Sequence, residues 1–251
     1  MATEAAPIDD DEARQLASIL VPISNSNISI DNFDLILNPE AFIQPADTFR
    51  HLCNTFSSAR SAKIAFDHGP CEDSICDDCI NNMQAPQLHN FLKSANSLMK
   101  LELWLQTSEC RAKFDPMDVF GTFSWSALRK LSLCGLRATE NELIDFLTRH
   151  AATLRNVEMT FVWLKSGSWV TAVQRMKDSL TLKTAIFSCS MGTEDEREDW
   201  GTDEMYAWTR DLEDPSKLVC KSLWECLDFF ICRGSKHDKN PFKNLAPGPF
   251  Q

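Results

Sequence analysis

The sequence predicts an α/β fold, a curved solenoid in which parallel strands form one sheet and helices lie on its convex side. Two observations support this prediction: an apolar spacing that recurs four times, and helical periodicity between the copies. Each copy buries its apolar residues only against neighbouring copies, as in a repeat array whose extended surface binds another macromolecule. The copies are Leu98-x-x-Leu101-x-Leu103, Leu128-x-x-Leu131-x-Leu133, Leu154-x-x-Val157-x-Met159 and Leu182-x-x-Ala185-x-Phe187, whose first positions are 30, 26 and 28 residues apart.

The last two apolar positions of each copy alternate as a short strand requires. We therefore expect adjacent parallel strands, in chain order, over Leu101–Leu103, Leu131–Leu133, Val157–Met159 and Ala185–Phe187. Two weaker copies lie upstream. Ser61-x-x-Ile64-x-Phe66 fits the strand positions but not the first position, and the segment Asp34–Asn38 is compatible with an edge strand.

Helix-period stretches precede four of these strands. Two carry start signals: Thr139-Glu-Asn-Glu142 is typical of a capping box, and Pro86 stands where the first helical residue tolerates a missing N–H. Helix followed by strand, repeated, predicts a parallel sheet with helices along one side. The apolar positions are Phe49, Leu52, Cys53 and Phe56; Leu88, Phe91, Leu92 and Ala95; Leu143, Phe146, Leu147 and Ala151; and Val170, Val173, Met176 and Leu180.

The expected domain organisation is one solenoid with appended segments. Residues 1–30 form an acidic arm or a capping helix, and residues 31–190 form the solenoid, with a cysteine-rich insertion at 67–85. Residues 191–215 are expected to be an acidic loop, 216–232 a C-terminal capping helix, and 233–251 a disordered tail with three prolines.

Composition predicts a folded intracellular protein. The chain has 251 residues with 43% hydrophobic content, no apolar run near the ~18 residues of a membrane span, and an acidic N-terminus without a signal-like apolar region. We therefore expect a cytoplasmic or nuclear protein with no membrane contact. The ten cysteines would then be reduced thiols that fill the core or the groove. The expected fillers are Cys53, Cys134, Cys189, Cys220, Cys226 and Cys232.

The net charge of −11 is concentrated. The segment from Thr193 to Asp214 contains ten acidic residues and two arginines, so its formal charge is −8. Such charge repels phosphate backbones and argues against a nucleic-acid partner. The same segment contains Trp200, Tyr206 and Trp208, so it is either an acidic loop pinned by its aromatics or a linear docking motif.

One cluster has metal-ligand character. His68, Cys71, Cys76 and Cys79 lie within twelve residues and match the thiolate and imidazole set that Zn²⁺ prefers. The cysteine spacing also fits an iron–sulfur pattern with Cys110 as fourth ligand, although the carboxylates of this loop disfavour a negatively charged cluster. The third alternative is a solvent-facing insertion that binds nothing.

Catalytic motifs are absent from the sequence. The glycines form neither a dinucleotide-binding nor a P-loop pattern, and there is no H-E-x-x-H or G-x-S-x-G. His150 follows the helix that starts near Thr139, where an imidazole more often binds helix carbonyls than catalyses. We therefore expect a protein that is not an enzyme and needs no cofactor.

A family resemblance rests on three segments: Trp125–Leu136, Thr139–Arg155 and Gly167-Ser-Trp169. Their helix ending in histidine, T-L-R step into a strand and G-S-W helix start resemble fungal F-box and leucine-rich-repeat-like proteins, best over Leu88–Phe187. The resemblance implies a leucine-rich-repeat-like solenoid that binds a partner, in some members a substrate for ubiquitin ligation. Met1–Asn38 contains neither the leading Leu-Pro nor the three helical segments of an F-box. A ligase adaptor is therefore not an expected partner, and only the solenoid carries over.

The strand register predicts which residues lie on the concave side. Residues that flank the buried pairs form columns across neighbouring strands, and the most apolar of them is Trp104. This surface is either a protein-binding site with Trp104 as its anchor or ordinary polar surface. The alternative function is a zinc-binding regulatory module organised by the cysteine cluster. The predicted partner-binding residues are Lys100, Glu102, Trp104, Lys130, Ser132, Cys134, Asn156, Glu158 and Thr160.

Overall fold

The computed structural model describes residues 22–23, 25–26, 29–37, 46–66, 86–105, 116–193, 199–201, 206–210, 218–235, 238–243 and 245–246. It contains six helices and eleven strands in this part of the chain. The helices are α1 (Ala46–Phe56), α2 (Pro86–Ser94), α3 (Pro116–Phe120), α4 (Glu140–Thr148), α5 (Trp169–Ser179) and α6 (Leu223–Cys232). The strands are β1 (Asn32–Leu37), β2 (Ser61–Phe66), β3 (Lys100–Trp104), β4 (Lys130–Cys134), β5 (Arg137–Thr139), β6 (Asn156–Ser166), β7 (Thr184–Thr193), β8 (Asp199–Gly201), β9 (Tyr206–Arg210), β10 (Leu218–Ser222) and β11 (Leu245–Ala246).

The protein is an α/β structure with an open, eight-stranded, mainly parallel sheet. Its strand order is β1-β2-β3-β4-β6-β7-β8, with β5 paired to β6. All neighbours are parallel except β7 and β8. The predicted strands are therefore adjacent, parallel and in chain order, which confirms the strand prediction.

A repeated backbone latch sets the register of these strands. The carbonyl of Arg129 accepts hydrogen bonds from the N–H groups of Arg155 and Asn156 at 2.9 and 3.0 Å. The carbonyls of Asp31, Arg60, Met99 and Arg155 accept two consecutive N–H groups from the next repeat in the same way. Because the latch recurs at the five steps from β1 through β2, β3, β4 and β6 to β7, these residues are equivalent positions of successive repeats.

The core lies between one face of the sheet and the helices. The apolar pairs Leu101 and Leu103, Leu131 and Leu133, and their equivalents are fully buried. Neighbouring helices join through stacked rings, Phe56 on Phe91 and Phe120 on Phe146, with centroids 4.1 and 4.4 Å apart. Burial at helical spacing on one side of each helix matches the predicted periodicity.

The helix starts follow their local signals. Thr139 and Glu142 form the expected capping box: the Thr139 N–H donates to Glu142 Oε2 at 2.7 Å and the Glu142 N–H donates to Thr139 Oγ1 at 3.2 Å. Helix α2 begins at Pro86 as predicted. Helix α3 was not predicted, because five residues are too few to show a helical period.

Glu140 joins the first turns of α4 and α5. Its carboxylate accepts hydrogen bonds from the Ser168 N–H at 3.1 Å, from Thr171 Oγ1 at 2.5 Å and from Arg175 at 3.0 Å. Gly167 has a φ of 101°, and a Cβ there would collide with the Glu140 side chain. The glycine of the G-S-W motif therefore allows the close approach that this carboxylate needs.

The two ends of the sheet differ. At the β7 end, the Ala185 N–H donates to Asp228 Oδ1 of α6 at 2.7 Å, and β8 pairs with the far half of β7. At the other end, β1 pairs with β2, and it has no second strand neighbour among the described residues. The β7 edge is therefore covered by a helix and a strand.

Ordered elements lie in two segments where the sequence predicted none. Strands β8 and β9 fall within the expected acidic loop, and β9 pairs with β10 and β11 in a separate antiparallel sheet. The expected tail contains β11 and a 3-10 helix, Pro241–Lys243. The Asn240 side chain donates to the Val170 carbonyl at 2.7 Å and anchors this segment to α5, a long-range contact that sequence does not reveal.

Candidate functional site

The nine predicted surface residues form three rows across β3, β4 and β6. We call this side of the sheet, opposite the helices, the open face. Residue pairing across the strands has the predicted register throughout. The rows are Lys100–Lys130–Asn156, Glu102–Ser132–Glu158 and Trp104–Cys134–Thr160.

Two of the nine residues are not available for contact. Ser132 and Cys134 are only 6% and 5% exposed, so their prediction as surface contacts is wrong. Ser132 lies between Glu102 and Glu158, and Cys134 lies next to Trp104 in the sheet. Cross-strand neighbours stand about 5 Å apart, so larger side chains shield the smaller ones between them.

The charges of the open face neutralise one another. Glu102 lies 2.9 Å from the Lys100 ammonium and 3.3 Å from that of Lys130, which also lies 3.9 Å from Glu158. The hydrogen bond from Lys100, despite the opposing effect of burial, holds the pKa of Glu102 below its usual range. Asp34 and Lys63, on β1 and β2, pair at 3.4 Å. These three acidic and three basic residues leave the surface with no excess charge.

An apolar row crosses the sheet near the carboxyl ends of β1 to β4 and continues onto β6. It runs from Ile36 through Ala65, Trp104 and Cys134 to Thr160 in continuous register. Ile36 is 74% exposed and Trp104 is 44% exposed. The row thus places two large apolar side chains in solvent on a surface whose charges are paired.

The row becomes polar at its far end. Thr160 Oγ1 lies 2.8 Å from Ser188 Oγ, and Asn156 donates to Thr184 Oγ1 at 2.7 Å. These contacts satisfy the polar side chains between β6 and β7. The β7 end of the open face is not purely polar, because Ile186, paired with Glu158 in the sheet, is 37% exposed.

Two neighbouring repeats change phase just beyond this row. The buried positions step by three, from Leu133 to Leu136 and from Met159 to Val162, where strict alternation would give steps of two. At each step one residue is left-handed: Gly135 with φ 81° and Phe161 with φ 52°. Glycine adopts this conformation freely, whereas for phenylalanine it costs on the order of 1 kcal/mol.

Sequence reasoning missed Phe161. The signal was present, because the apolar pattern of β6 moves from odd positions at Met159 to even positions at Val162 and Leu164. Because of this change, Phe161 is half-buried and follows Thr160, the last residue of the apolar row. The Gly135 N–H donates to the Thr160 carbonyl at 3.1 Å, which keeps the two strands together at this point.

His150 has a structural position. It is 1% exposed, with Nδ1 2.9 Å from the Phe146 carbonyl and Nε2 accepting the Trp125 N–H at 3.1 Å. These partners require a neutral ring protonated on Nδ1. Burial lowers its pKa. The imidazole thus binds the end of α4 to the preceding repeat, in agreement with the interpretation as a carbonyl-binding residue.

Two of the described cysteines are weak nucleophiles near neutral pH. Cys53, Cys134, Cys226 and Cys232 are free thiols. Burial raises the pKa of Cys53 to about 11 and that of Cys232 to about 12. Both are therefore protonated near neutral pH, where a thiol is a weak nucleophile.

The predicted zinc ligands His68, Cys71, Cys76 and Cys79 lie outside the described residues, as does Cys110. Within the described ranges no group of three or more histidine, cysteine or carboxylate side chains could hold a metal ion. The zinc site stays a prediction, and elemental analysis of the purified chain tests it. None of the helices in the described part of the chain is long and apolar enough to cross a membrane.

Comparison with known proteins finds no matching family, no matching curated protein and no matching solved structure. The properties of the open face are therefore the basis for assigning a function.

Proposed function

We propose that this protein is a non-enzymatic interaction module that binds another protein on its open face. The observation that carries this proposal is Trp104, which is 44% exposed on a strand whose neighbouring charges are already paired. Large exposed apolar groups beside polar, solvent-accessible residues are a common feature of protein interfaces.

The energetics favour Trp104 as the anchor. Covering a tryptophan removes a large apolar area from water, at roughly 25 cal/mol per Å². The indole is also held on a regular strand, so binding orders little additional chain. Tryptophans in such positions are enriched among residues whose loss weakens binding by 2 kcal/mol or more.

A protein fits this surface better than a nucleic acid. The lysines of the open face are engaged by Glu102, Glu158 and Asp34, so they cannot bind phosphates without breaking those pairs. The net charge of −11 would also repel a polyanion. An apolar row flanked by self-paired charges instead suits a polypeptide with little net charge.

Two narrower proposals accompany this one. The latch that recurs at five successive strand steps supports a leucine-rich-repeat-like solenoid, and small-angle X-ray scattering of the purified chain tests whether that solenoid is curved. The resemblance over Leu88–Phe187 supports a substrate-receptor-like role in ubiquitin ligation. Its test is whether a ligase adaptor co-purifies with the chain.

The central experiment uses two tryptophans of similar exposure. A photoreactive amino acid at position 104, and separately at position 224 on α6, is crosslinked in native cells, and the captured protein is identified by mass spectrometry. Trp224 is 37% exposed but belongs to a different surface, which makes it a matched control. The identified partner is then titrated calorimetrically against the parent chain, Trp104→Ala and Trp224→Ala.

We expect capture from position 104 and an affinity loss on the order of 2 kcal/mol for Trp104→Ala alone. Equal affinity of Trp104→Ala and the parent chain for the captured protein would refute the open-face assignment. Capture only from position 224 would move the interface to the helix side of the molecule.

A further inference from the structure

We propose that Phe161 is a second docking residue, and that an apolar side chain of the partner inserts between Phe161 and Trp104. This inference deepens the proposed function and rests on it. It concerns which residue of the open face sets specificity and what chemistry the partner brings.

The backbone of Phe161 is strained. Gly135 and Phe161 each come one residue after the paired Cys134 and Thr160, and the Gly135 N–H donates to the Thr160 carbonyl. Both are left-handed, with φ 81° and 52°. The same phase change is thus made once by a glycine, which is free of strain, and once by a phenylalanine, which is not.

The ring of Phe161 takes no part in the aromatic stacking of the described core. Among the described residues it stacks on no other ring, whereas Phe56, Phe91, Phe120 and Phe146 all have ring partners in the core. Phe161 is half-buried between buried Met159 and Val162, at the irregularity where the register of β6 shifts. We infer that it shares the open side of the strand with Thr160. A costly conformation that brings a ring to the surface indicates that the ring contacts something outside the chain.

The strand spacing sets the separation of the two side chains. Trp104 and Thr160 are separated by one strand, so their Cα atoms are about 10 Å apart. The strand between them carries buried Cys134 and Gly135, which has no side chain. Side chains that stand perpendicular to the sheet keep about this separation, and two apolar contacts of about 4 Å each across it would accommodate one inserted side chain.

The lack of excess charge on the open face indicates which kind of partner segment it binds. We call the space between Trp104 and Phe161 the notch. The acidic and basic residues of the open face that lie nearer the start of the strands form ion pairs and neutralise one another. A segment with a strong charge of either sign would gain nothing from them. We therefore expect a partner segment with one aliphatic or aromatic residue at its centre and no excess charge.

The test uses a phage-displayed library of random twelve-residue peptides selected on the full chain. Selected peptides are synthesised with a fluorescent label and titrated against the parent chain, Phe161→Gly, Phe161→Asn, Trp104→Ala and Trp224→Ala. Glycine and asparagine both tolerate the left-handed conformation, so each removes the ring without adding strain. Two such variants guard against an unexpected folding defect in one, and thermal unfolding monitors both.

We expect uncharged peptides with a central apolar residue, about tenfold weaker binding to Phe161→Gly and Phe161→Asn, and unchanged binding to Trp224→Ala. Thermal stability of the Phe161 variants should equal or exceed that of the parent. Selection of no peptide, or only of highly charged ones, would overturn the proposal. So would a dimer of the chain in sedimentation that Phe161→Gly dissociates, since a second copy would then fill the notch.

Trp104→Ala separates failure of this inference from failure of the proposed function. If Trp104→Ala weakens peptide binding and the Phe161 variants do not, the open face binds polypeptide but Phe161 has no part in it. If none of these three variants weakens binding, the peptides bind elsewhere and both proposals fail.

Discussion

The two faces of the same sheet obey different rules. On the helix side, residues such as Leu101, Leu103 and Phe187 are fully buried and hold the repeats together. On the open face, one residue further along each strand, lysines and glutamates form ion pairs and Trp104 remains in solvent. Substitutions on the helix side should therefore change the stability of the fold, whereas substitutions on the open face should change binding.

Leu103→Ala is the substitution with the largest expected effect. It creates a cavity between β3 and the helices, and we expect the free energy of unfolding to fall by ~3 kcal/mol in urea titration. The matched control is Trp104→Ala on the adjacent residue, which should cost less than ~0.5 kcal/mol. Comparable losses for the two variants would mean that the open face also supports the fold.

His150→Gln tests a polar contact on the helix side. The Trp125 N–H and the Phe146 carbonyl lose their shared partner, so we expect a loss of about 1–2 kcal/mol at neutral pH. Burial holds the pKa of His150 below its ordinary value of 6.5. The stabilisation it provides is therefore present above pH 6.5 and is lost as the pH falls through the lower pKa of the folded state.

The pH dependence gives this second prediction its control. The free energy of unfolding in urea should differ less between the parent and His150→Gln at pH 5 than at pH 7. Only the parent contains the buried neutral histidine that acid protonates. A difference that stays constant or grows would show that His150 is not held in the neutral form.

Glu140→Gln probes the contact between α4 and α5. The amide can no longer accept from the Ser168 N–H, Thr171 and Arg175 together, and the ion pair with Arg175 at 3.0 Å is lost. We expect a loss of ~1 kcal/mol in chemical denaturation. Glu158→Gln, on the open face, is the matched control and should be nearly silent. A silent Glu140→Gln would show that the helices need no such joint.

Glu102→Gln should have the smallest effect of these four substitutions, controls apart. Its partners Lys100 and Lys130 are substantially exposed, so the ion pairs contribute under about 1 kcal/mol, and less in high salt. Equilibrium unfolding at low and high ionic strength measures both quantities. A larger, salt-independent loss would place this carboxylate among the residues that hold the fold.

The edges of the sheet repeat the contrast between the faces. The β7 edge is closed by Asp228, which accepts the Ala185 N–H, and by pairing with β8. The β1 end carries Ile36, the most exposed large apolar residue among those described. Among the described residues, α6 and β8 thus cover the β7 edge. At the β1 edge, the exposed Ile36 begins the apolar row that includes Trp104.

Local pattern was sufficient to predict the repeat. Strand alternation, helical spacing, the Thr139–Glu142 capping box and the cross-strand columns through Lys100, Glu102 and Trp104 depend on residues close in sequence, or on a spacing that recurs. The sheet neighbours follow because each repeat can bury its apolar face only against the next. Helix α3 was missed because one short turn carries no period.

Only the tertiary structure decided which surface positions are accessible. Ser132 and Cys134 are buried because larger side chains from other strands adjoin them, and Phe161 is displaced to the surface by a change of phase coupled to Gly135. His150 reaches Trp125, and Asp228 reaches Ala185, across 25 and 43 residues of sequence. Sequence periodicity describes each repeat by itself, whereas burial, strain and long-range hydrogen bonds depend on which side chains of other repeats occupy the same space.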